Sequence, residues 1–426
     1  MTKAQFIKAF IVTIILLLQM DTAFPCSSYK VTVNGSTMYG MNYDTWFNYP
    51  RIWFETNGYG AVFSGANGQG DSFSPQSGMN EFGLSFGTLA TPTPANGKTF
   101  TNKKQITSRT NYLKDILHSC KTVEEVKAYI EQYDHSSLAN DVFIYTEKSG
   151  KYLIVEPFTL TFGNDDKYVL ANFCPSTITD FSSIKQQRFI DGNTFLKNKI
   201  DTSLAFCAAL SDTMHVCRAK IGDGTLLTSI YDLNRGNVHL YFYHNYNHQV
   251  QFNLKEELAK GNHSFEIPPL FPPNKEYQKL LDFKTPLNSK AVNWVLRFGL
   301  ILFLVSGVYF FISYFRNRKI KYAPTKLLLS GFSFVLMFYM FALAREMSIF
   351  YFPAPYKHYK LSMLDVAGYI PFLTLFVIIP LVLINRKIFK ENAWRFIPKW
   401  LFAINNLTYL ILIFLFAYWG FYNVLN

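Results

Sequence analysis

Residues 25–44 read PCSSYKVTVNGSTMYGMNYD and carry the strongest fold signal in the chain. Alternating apolar and polar residues on both sides of an Asn-Gly pair predict two antiparallel strands joined by a tight turn. The first strand begins beside Cys26, and the second returns to a carboxylate, Asp44. Both residues would lie at the same end of this hairpin, which makes Cys26 a candidate nucleophile if the segment before it is removed.

The length of the turn sets which residue faces Cys26. A two-residue turn places Cys26 opposite Tyr43, whereas a three-residue loop that extends to Ser36 places it opposite Asp44. A shift of one residue moves a side chain to the other face of a sheet. A functional pair of Cys26 and Asp44 therefore predicts the three-residue loop or a bulge.

Residues 1–25 resemble a secretory signal peptide, with a basic start and an apolar run from Ala9 to Leu18. An uncleaved membrane anchor is the alternative. Pro25 stands directly before Cys26, so the segment lacks a typical small-residue cleavage site, and it does not favour lipidation of the cysteine. With either interpretation, the domain that follows is expected to lie outside the cytoplasm.

The composition separates the chain into two parts. Charged residues make up only 16% of the 426 residues, against about 25% in ordinary soluble proteins. The apolar excess lies in four spans near the length that crosses a bilayer, at 298–315, 327–344, 366–384 and 401–422. The predicted organisation is a signal peptide or propeptide at 1–25, a globular domain at 26–263, a polar linker at 264–290 and a four-helix membrane domain at 291–426.

Much of the net charge of +12 falls in two short clusters, at 316–321 and 386–390. Both clusters lie beside apolar spans, which is typical of cytoplasmic loops. This placement argues against nucleic acid as a partner, since a nucleic-acid surface needs a basic face on the folded domain. The chain is therefore predicted to be a multi-pass protein of the cell membrane, with its globular domain on the periplasmic or extracellular side. The spans lack charged residues, which favours an anchor over a transporter.

The globular part alternates strands with helical segments, which predicts an α+β layered fold. Helices are expected at about 105–119, 122–133, 184–198 and 202–210. Short strands are expected on both sides of these helices, among them 141–146, 152–157, 167–172 and 226–232.

A thiol attacks only as its thiolate and so needs a base. The α-amino group of an N-terminal cysteine titrates at about 7.7–8.0 and could serve as that base. This chemistry requires removal of everything before Cys26, after which Asp44 could hold the amine or the thiol. The alternative is a buried or disulfide-bonded cysteine, which is common in secreted chains.

The chain has five cysteines, at positions 26, 120, 174, 207 and 217. The odd number leaves at least one outside an intramolecular disulfide, and the pairing of the others stays open. No Cys-x-x-Cys pair occurs and the histidines show no ligand spacing, so no metal or other cofactor is expected.

Five motifs, in order along residues 26–260, resemble the choloylglycine hydrolase family. This family comprises the bile-salt hydrolases and penicillin V acylases, which are N-terminal-nucleophile (Ntn) hydrolases. The motifs are CSS with YGMNYD (26–28 and 39–44), GMNEFGL (78–84), YVLAN (168–172), SSIKQQRF (182–189) and TSIYD (228–232).

The resemblance implies a four-layer αββα domain that cleaves a linear amide of a small N-acyl molecule. Cys26 would attack the amide carbonyl while its own α-amine takes the proton, and Asp44 would orient this nucleophile. Asn80 and Asn172 would lie around the oxyanion, and Arg188 would be the later arginine of the site. Without the resemblance, the asparagines would be interpreted as turn or strand-end residues and the arginine as a surface residue.

One departure concerns Met41, which stands where many family members carry an arginine. Arg188 or another cation could replace it, or the substrate could differ. The membrane domain is also foreign to the family's usual soluble enzymes, so neither bile salts nor penicillin are transferred as substrates. Acyl transfer to an amine and a catalytically degenerate module that binds a ligand or a protein partner remain as alternatives. The sequence leaves the oligomeric state open.

Overall fold

The computed structural model describes residues 26–45, 49–67, 73–92, 94, 102–218, 223–345, 348–351 and 367–422. The proposed signal peptide lies outside these residues. The described chain forms two compact units that meet in sequence between Phe283 and Lys284.

The first unit alternates strands and helices as the sequence predicted. Its strands are β1 Ser27–Val33, β2 Ser36–Thr45, β3 Pro50–Glu55, β4 Ala61–Asn67, β5 Phe73–Asn80, β6 Ser85–Ala90, β7 Lys104–Gln105, β8 Tyr133–Asp134, β9 Asp141–Thr146, β10 Tyr152–Val155, β11 Leu160–Gly163, β12 Lys167–Leu170, β13 Cys217–Arg218, β14 Asp223–Asp232, β15 Asn237–Phe242, β16 Asn245–Asn253 and β17 His263–Glu266. Its helices are α1 Arg109–Ser119, α2 Val123–Ile130, α3 Gln187–Asn198, α4 Leu204–Met214, α5 Leu254–Leu258 and α6 Lys275–Asp282.

Two antiparallel sheets form the centre of this unit. The first follows the order β12-β1-β2-β14-β15-β16, with β13 on β14, and the second follows β11-β10-β9-β6-β5-β4-β3-β17. Helices α3 and α4 pack on the first sheet, and α1 and α2 pack on the second. Apolar side chains such as Tyr39, Met41 and Val62 fill the space between the sheets. The predicted α+β fold with four αββα layers is confirmed.

A buried group of hydroxyls connects the two sheets. Ser64 on β4 lies 2.8 Å from Ser77 on β5 and 3.0 Å from Ser229 on β14, measured between Oγ atoms. The Tyr231 hydroxyl lies 3.0 Å from the Ser64 hydroxyl and 2.9 Å from that of Ser77. Because buried polar groups are costly unless they are paired, this network favours one alignment of the sheets.

The hairpin at the start of the domain has a two-residue turn. Val33 pairs with Ser36, and Asn34 and Gly35 both adopt left-handed backbone angles, with φ of 50° and 76°. Asn-Gly is the favoured sequence for this turn type, whose twist matches that of the strands. The predicted three-residue loop is therefore wrong. By continuation of the register, Cys26 faces Tyr43 across the hairpin.

A bulge nevertheless occurs next to Asp44, on the other side of β2. The register between β2 and β14 shifts between Thr225, which pairs with Asp44, and Leu227, which pairs with Tyr43. Bulges bend a strand locally and often lie next to functional sites. Here the bulge belongs to β14, so it leaves the alternation of side chains along β2 unchanged.

Residues 264–283 do not form an extended linker. Strand β17 adds to the second sheet beside β3, and helix α6 follows. Ile267 and Leu280 are buried in the core between the sheets. These two apolar anchors keep the segment in the globular unit, so the interval left for a linker is shorter than 264–290.

Among its described residues, the second unit contains four helices that are long and apolar enough to cross a membrane: α7 Lys290–Arg316, α8 Ala323–Leu343, α10 Ile370–Lys390 and α11 Phe396–Tyr418. A short helix, α9 Ser348–Tyr351, lies between α8 and α10 in the sequence. The four predicted apolar spans are confirmed as helices. Polar contacts occur inside this unit, since Ser306 donates a hydrogen bond to Asn405 at 3.1 Å.

The turn at Gly35 provides a test of the hairpin register. A Cβ at Gly35 would have no atom within 4 Å, so a substitution acts through the backbone angle alone. Gly35→Ala is expected to destabilise the domain by about 1 kcal/mol, because L-residues disfavour left-handed angles. Asn34→Gly is the control and is expected to be close to neutral. Thermal unfolding of the full chain in detergent measures both, and equal melting temperatures for Gly35→Ala and the original chain would contradict this turn.

Candidate active site

Cys26 lies directly before β1, with its side chain in the core between the two sheets. It is only 3% exposed and belongs to the same apolar cluster as Met41, Leu170 and Leu226. Its Sγ lies 3.9 Å from the main-chain oxygen of Asp44. The candidate nucleophile is thus a buried thiol whose neighbours are largely apolar.

Asn172 contacts the main-chain nitrogen of Cys26. Strand β12 pairs with β1 so that Leu170 faces Ser28, and continuing this register places Asn172 across from Cys26. The Cys26 nitrogen donates to Oδ1 of Asn172 at 2.8 Å, and Nδ2 of Asn172 donates to the oxygen of Ala90 at 2.7 Å. This carboxamide therefore presents an acceptor to the atom that would become the α-amine.

Arg188 supplies a cation beside this pair. It lies in the first turn of α3, and its Nε donates to the main-chain oxygen of Cys26 at 3.1 Å. Its Nη2 donates to Oδ1 of Asn172 at 2.5 Å. Met41 is 1% exposed and packs in the core between the sheets. The cation at Cys26 thus comes from helix α3. The sequence analysis had left open whether Arg188 or another cation would take this place.

The Asp44 carboxylate accepts a hydrogen bond from the hydroxyl of Thr225 across the β2–β14 pairing. That hydroxyl oxygen also accepts from the main-chain nitrogen of Val216 at 3.0 Å. Asp44 itself is buried, and its main-chain oxygen is the atom that meets the Cys26 thiol. The structure brings the main chain of Asp44 to the Cys26 thiol, while the Asp44 carboxylate acts on that thiol through charge.

Asn80 has a structural role, in contrast to the oxyanion role that its motif suggested. Its Nδ2 donates to the main-chain oxygens of Leu117 and Cys120, both at 2.8 Å. Its Oδ1 accepts from the main-chain nitrogens of Phe82 and Leu84, both at 3.1 Å. These four bonds use both amide hydrogens and hold the end of α1 against the β5–β6 turn, so no hydrogen remains for an oxyanion.

Burial controls the ionisation of the Cys26 thiol. The pKa of this thiol is raised to about 12. Removal from water is the largest cause and the charge of the Asp44 carboxylate adds to it, whereas the hydrogen bond to the Asp44 main chain and the Arg188 guanidinium act in the opposite direction. Burial has this effect because it penalises the charged thiolate. In this state of the chain the thiol is neutral at physiological pH, so reaction requires a base next to it.

The sequence analysis did not identify two residues that contact the candidate site residues Asp44 and Asn172. Thr225 binds the Asp44 carboxylate, and Gln186 hydrogen-bonds the main chain of Asn172. Gln186 lies within the SSIKQQRF motif and Thr225 lies three residues before TSIYD. The motifs include Gln186 and end close to Thr225, but only the tertiary structure shows that these two side chains contact Asn172 and Asp44.

The described residues form neither a metal-binding cluster nor a disulfide. Those residues contain no cluster of three or more His, Cys, Asp or Glu side chains that could hold a metal ion, and none of their cysteines forms a disulfide. A cavity of about 480 Å³ lies at the β15–β16 turn and the start of α6, and its lining includes none of the residues around Cys26.

No protein-family model and no curated protein matches the sequence. Similar solved structures include two variants of conjugated bile acid hydrolase from Clostridium perfringens, with 18% and 16% identity and TM-scores of 0.44 and 0.43. Each covers 59% of this chain, and the comparisons span 99% and 97% of the hydrolase chains. Penicillin V acylase from Agrobacterium tumefaciens has 16% identity and a TM-score of 0.40, over 51% of this chain and 82% of that chain. Both kinds of protein named by the motif resemblance are therefore among the similar structures.

The opposite effects of the two charges on Cys26 give a test of this geometry. Arg188→Gln raises the pKa of the thiol and should slow alkylation of Cys26 by iodoacetamide at about pH 9, by roughly threefold or more. Asp44→Asn lowers this pKa and should accelerate the same reaction. Peptide mass spectrometry measures both rates, with the exposed Cys217 as internal reference. Rates that change in the same direction in both variants would contradict the arrangement.

Proposed function

We propose that this chain is a membrane-anchored N-terminal-cysteine amidohydrolase that cleaves a linear carbon–nitrogen amide bond of an N-acylated small molecule outside the cytoplasm. The observation that carries the proposal is the 2.8 Å contact between the Cys26 nitrogen and Oδ1 of Asn172. It holds the future α-amine in place next to the thiol that needs a base. Arg188 binds the main-chain oxygen of the same residue and so holds its carbonyl end.

The reaction begins once the peptide bond before Cys26 is cleaved. The freed α-amine takes the proton of the thiol, and the thiolate attacks the amide carbonyl of the substrate. When the tetrahedral intermediate collapses, the carbon–nitrogen bond breaks and the α-ammonium returns its proton to the leaving amine. Water then attacks the thioester with the amine again as base, which releases the carboxylic acid and restores Cys26.

Charge near the carbonyl stabilises the intermediate. The Arg188 guanidinium lies at the buried Cys26, where low polarity strengthens its interaction with a developing oxyanion. Asn172 is the proposed amide donor to the oxyanion: its Oδ1 binds the Cys26 nitrogen, and its Nδ2, which donates one hydrogen to the Ala90 oxygen, would direct the other toward the oxyanion. A donor of this kind lowers the barrier by about 2.7–4 kcal/mol. In this mechanism Asn172 orients the amine through its oxygen and binds the oxyanion through its nitrogen.

The surroundings of Cys26 favour a substrate with an apolar acyl group. Met41, Leu170 and Leu226 belong to the same cluster as the thiol, and Met41 replaces a cation with an apolar side chain. An acyl chain that is desolvated beside these residues gains about 25 cal/mol per Å² of buried apolar surface.

The four apolar helices would anchor the catalytic unit to the membrane. The basic clusters at 316–321 and 386–390 lie at the ends of α7 and α10. Positive residues at helix ends favour the cytoplasmic side. This orientation would leave the start of α7, and with it the catalytic unit, on the opposite side.

A binding module without turnover is the second candidate, and one observation favours it. The thiol is buried, and its pKa is raised to about 12. If the bond before Cys26 is never cleaved, no amine is available to ionise this thiol. The domain would then bind a ligand or a protein partner, and the Cys26 thiol would not react.

Maturation and turnover separate the two candidates. An active preparation should begin at Cys26, and Cys26→Ala should lose about 1,000-fold or more of its activity on acyl p-nitroanilides. Cys217→Ala changes an exposed thiol and should leave the rate unchanged. N-terminal sequencing and absorbance assays give both results. An active chain that still carries residue 25, or full activity in Cys26→Ala, would refute the hydrolase.

The orientation in the membrane can be tested with the same exposed thiol. In intact cells, a membrane-impermeant maleimide should label Cys217 of the catalytic unit. A Lys319→Cys variant places a thiol in the basic cluster after α7, and that thiol should be labelled only after detergent is added, as expected for a cytoplasmic loop. The reverse pattern would place the catalytic unit in the cytoplasm.

A further inference from the structure

Gln186 occupies an unusual position at the start of α3. It is the N-cap residue of that helix, yet its side chain makes no capping hydrogen bond. Glutamine is also not among the residues that favour this position. Its main-chain oxygen accepts from the nitrogens of Phe189 and Ile190, so the first turn of α3 fixes the backbone while the side chain serves another purpose.

The side chain forms a pair of hydrogen bonds with the main chain of Asn172. Oε1 of Gln186 accepts from the Asn172 nitrogen at 3.1 Å, and Nε2 of Gln186 donates to the Asn172 oxygen at 3.0 Å. Both main-chain groups of one residue are thus bound by a single carboxamide. The two bonds together resist translation and rotation of Asn172 more than either bond alone.

The position of Asn172 in the sheet explains why such a partner is needed. Strand β12 is an edge strand whose only neighbour in its sheet, among the described residues, is β1, and Asn172 lies two residues beyond its end. A strand edge leaves main-chain groups without sheet partners. At Asn172, the Gln186 carboxamide takes the place of a peptide group from a neighbouring strand.

The same carboxamide also binds the cation of the site. Oε1 of Gln186 accepts from Nη2 of Arg188 at 3.0 Å, and this nitrogen also donates to Oδ1 of Asn172. Gln186 therefore contacts both Asn172, which binds the main-chain nitrogen of Cys26, and Arg188, which binds its main-chain oxygen. Its own side chain has no hydrogen bond to Cys26 among the contacts of the described residues.

We propose that Gln186 is a positioning residue for the Cys26 reaction: it fixes Asn172 against the α-amine and holds Arg188 at the Cys26 carbonyl. The proposal rests on the hydrolase function proposed above. Without Gln186, the Asn172 carboxamide and the guanidinium lose their shared partner, and both groups move relative to the nucleophile. Small displacements of this kind can cost about 100-fold in rate.

The test uses the full chain in detergent and three variants. Gln186→Ala removes both bonds to Asn172. Gln186→Glu retains the acceptor, but its ionised form cannot donate to the Asn172 oxygen, whereas its protonated form can. Gln187→Ala is the matched control, since Gln187 is an exposed neighbour whose amide bonds only to Asp191 among the described contacts. Each protein is assayed for turnover of acyl p-nitroanilides and for alkylation of Cys26 by iodoacetamide across a range of pH.

Gln186→Ala is expected to lower kcat by about 100-fold while KM changes by less than about threefold. Its Cys26 should be alkylated more slowly at neutral pH, because Arg188 is no longer held where it lowers the pKa of the thiol. Gln187→Ala should match the original chain in both assays. For Gln186→Glu, the turnover rate and the alkylation rate are each divided by the rate of the original chain at the same pH. Both ratios should rise as the pH falls, because the introduced carboxylate gains its proton and can then donate to the Asn172 oxygen.

Equal turnover and alkylation rates for Gln186→Ala and Gln187→Ala would overturn the proposal. So would a ratio of the Gln186→Glu rate to the rate of the original chain that does not change with pH. If Gln186→Ala fails to fold, as judged by its melting temperature, the pH dependence of Gln186→Glu decides. If the original chain hydrolyses no amide, the hydrolase proposal fails. The alkylation rates of Cys26 alone then decide whether Gln186 positions Asn172 and Arg188.

Discussion

The hydrogen bond from the Cys26 nitrogen to Oδ1 of Asn172 is the interaction on which the candidate site depends. It joins residues that are 146 positions apart, and the pairing of β12 with β1 brings them together. The edge strand β12 thereby forms one side of the site. The register of its pairing with β1 determines which side chain contacts Cys26. A shift of one residue would turn the Asn172 side chain to the other face of the sheet.

The electrostatics of the site follow from the same arrangement. A thiol that packs between two sheets is protected from water, so its pKa is high and it stays protonated without a base. The negative charge of Asp44 and the positive charge of Arg188, which act on this thiol in opposite directions, come from different elements, β2 and α3. The helix supplies the cation, which leaves position 41 on the strand free to carry an apolar side chain. Methionine there extends the apolar core up to the nucleophile.

Much of the fold follows from local sequence signals, and the errors have identifiable physical causes. The four long apolar helices, the α+β class and the Asn34–Gly35 turn were predictable because each depends on composition or on residues close in sequence. The three-residue loop was wrong because it was chosen to suit a Cys26–Asp44 pair, whereas the Asn-Gly pair itself favours a two-residue turn. The polar and proline-rich composition of 264–283 concealed Ile267 and Leu280, which anchor that segment in the core.

The site was only partly predictable. Motifs located Cys26, Asn172 and Arg188, and the structure brings these three into direct contact. The motif does not by itself assign the role of Asn80, because an asparagine that holds a turn and one that binds a substrate look the same in sequence. The partners Thr225 and Gln186 could not be assigned beforehand, since their roles arise from a bulge and from a strand edge that only the tertiary structure defines.

The central claim is that Cys26 carries the acyl group as an N-terminal thioester. The most direct measurement is mass spectrometry of the full chain after brief reaction with an acyl p-nitroanilide and an acid quench. The mechanism predicts a peptide that begins at Cys26, is heavier by one acyl group, and loses that group on treatment with hydroxylamine. Release of p-nitroaniline without any acyl group on Cys26, or an acyl group on a different residue, would contradict it.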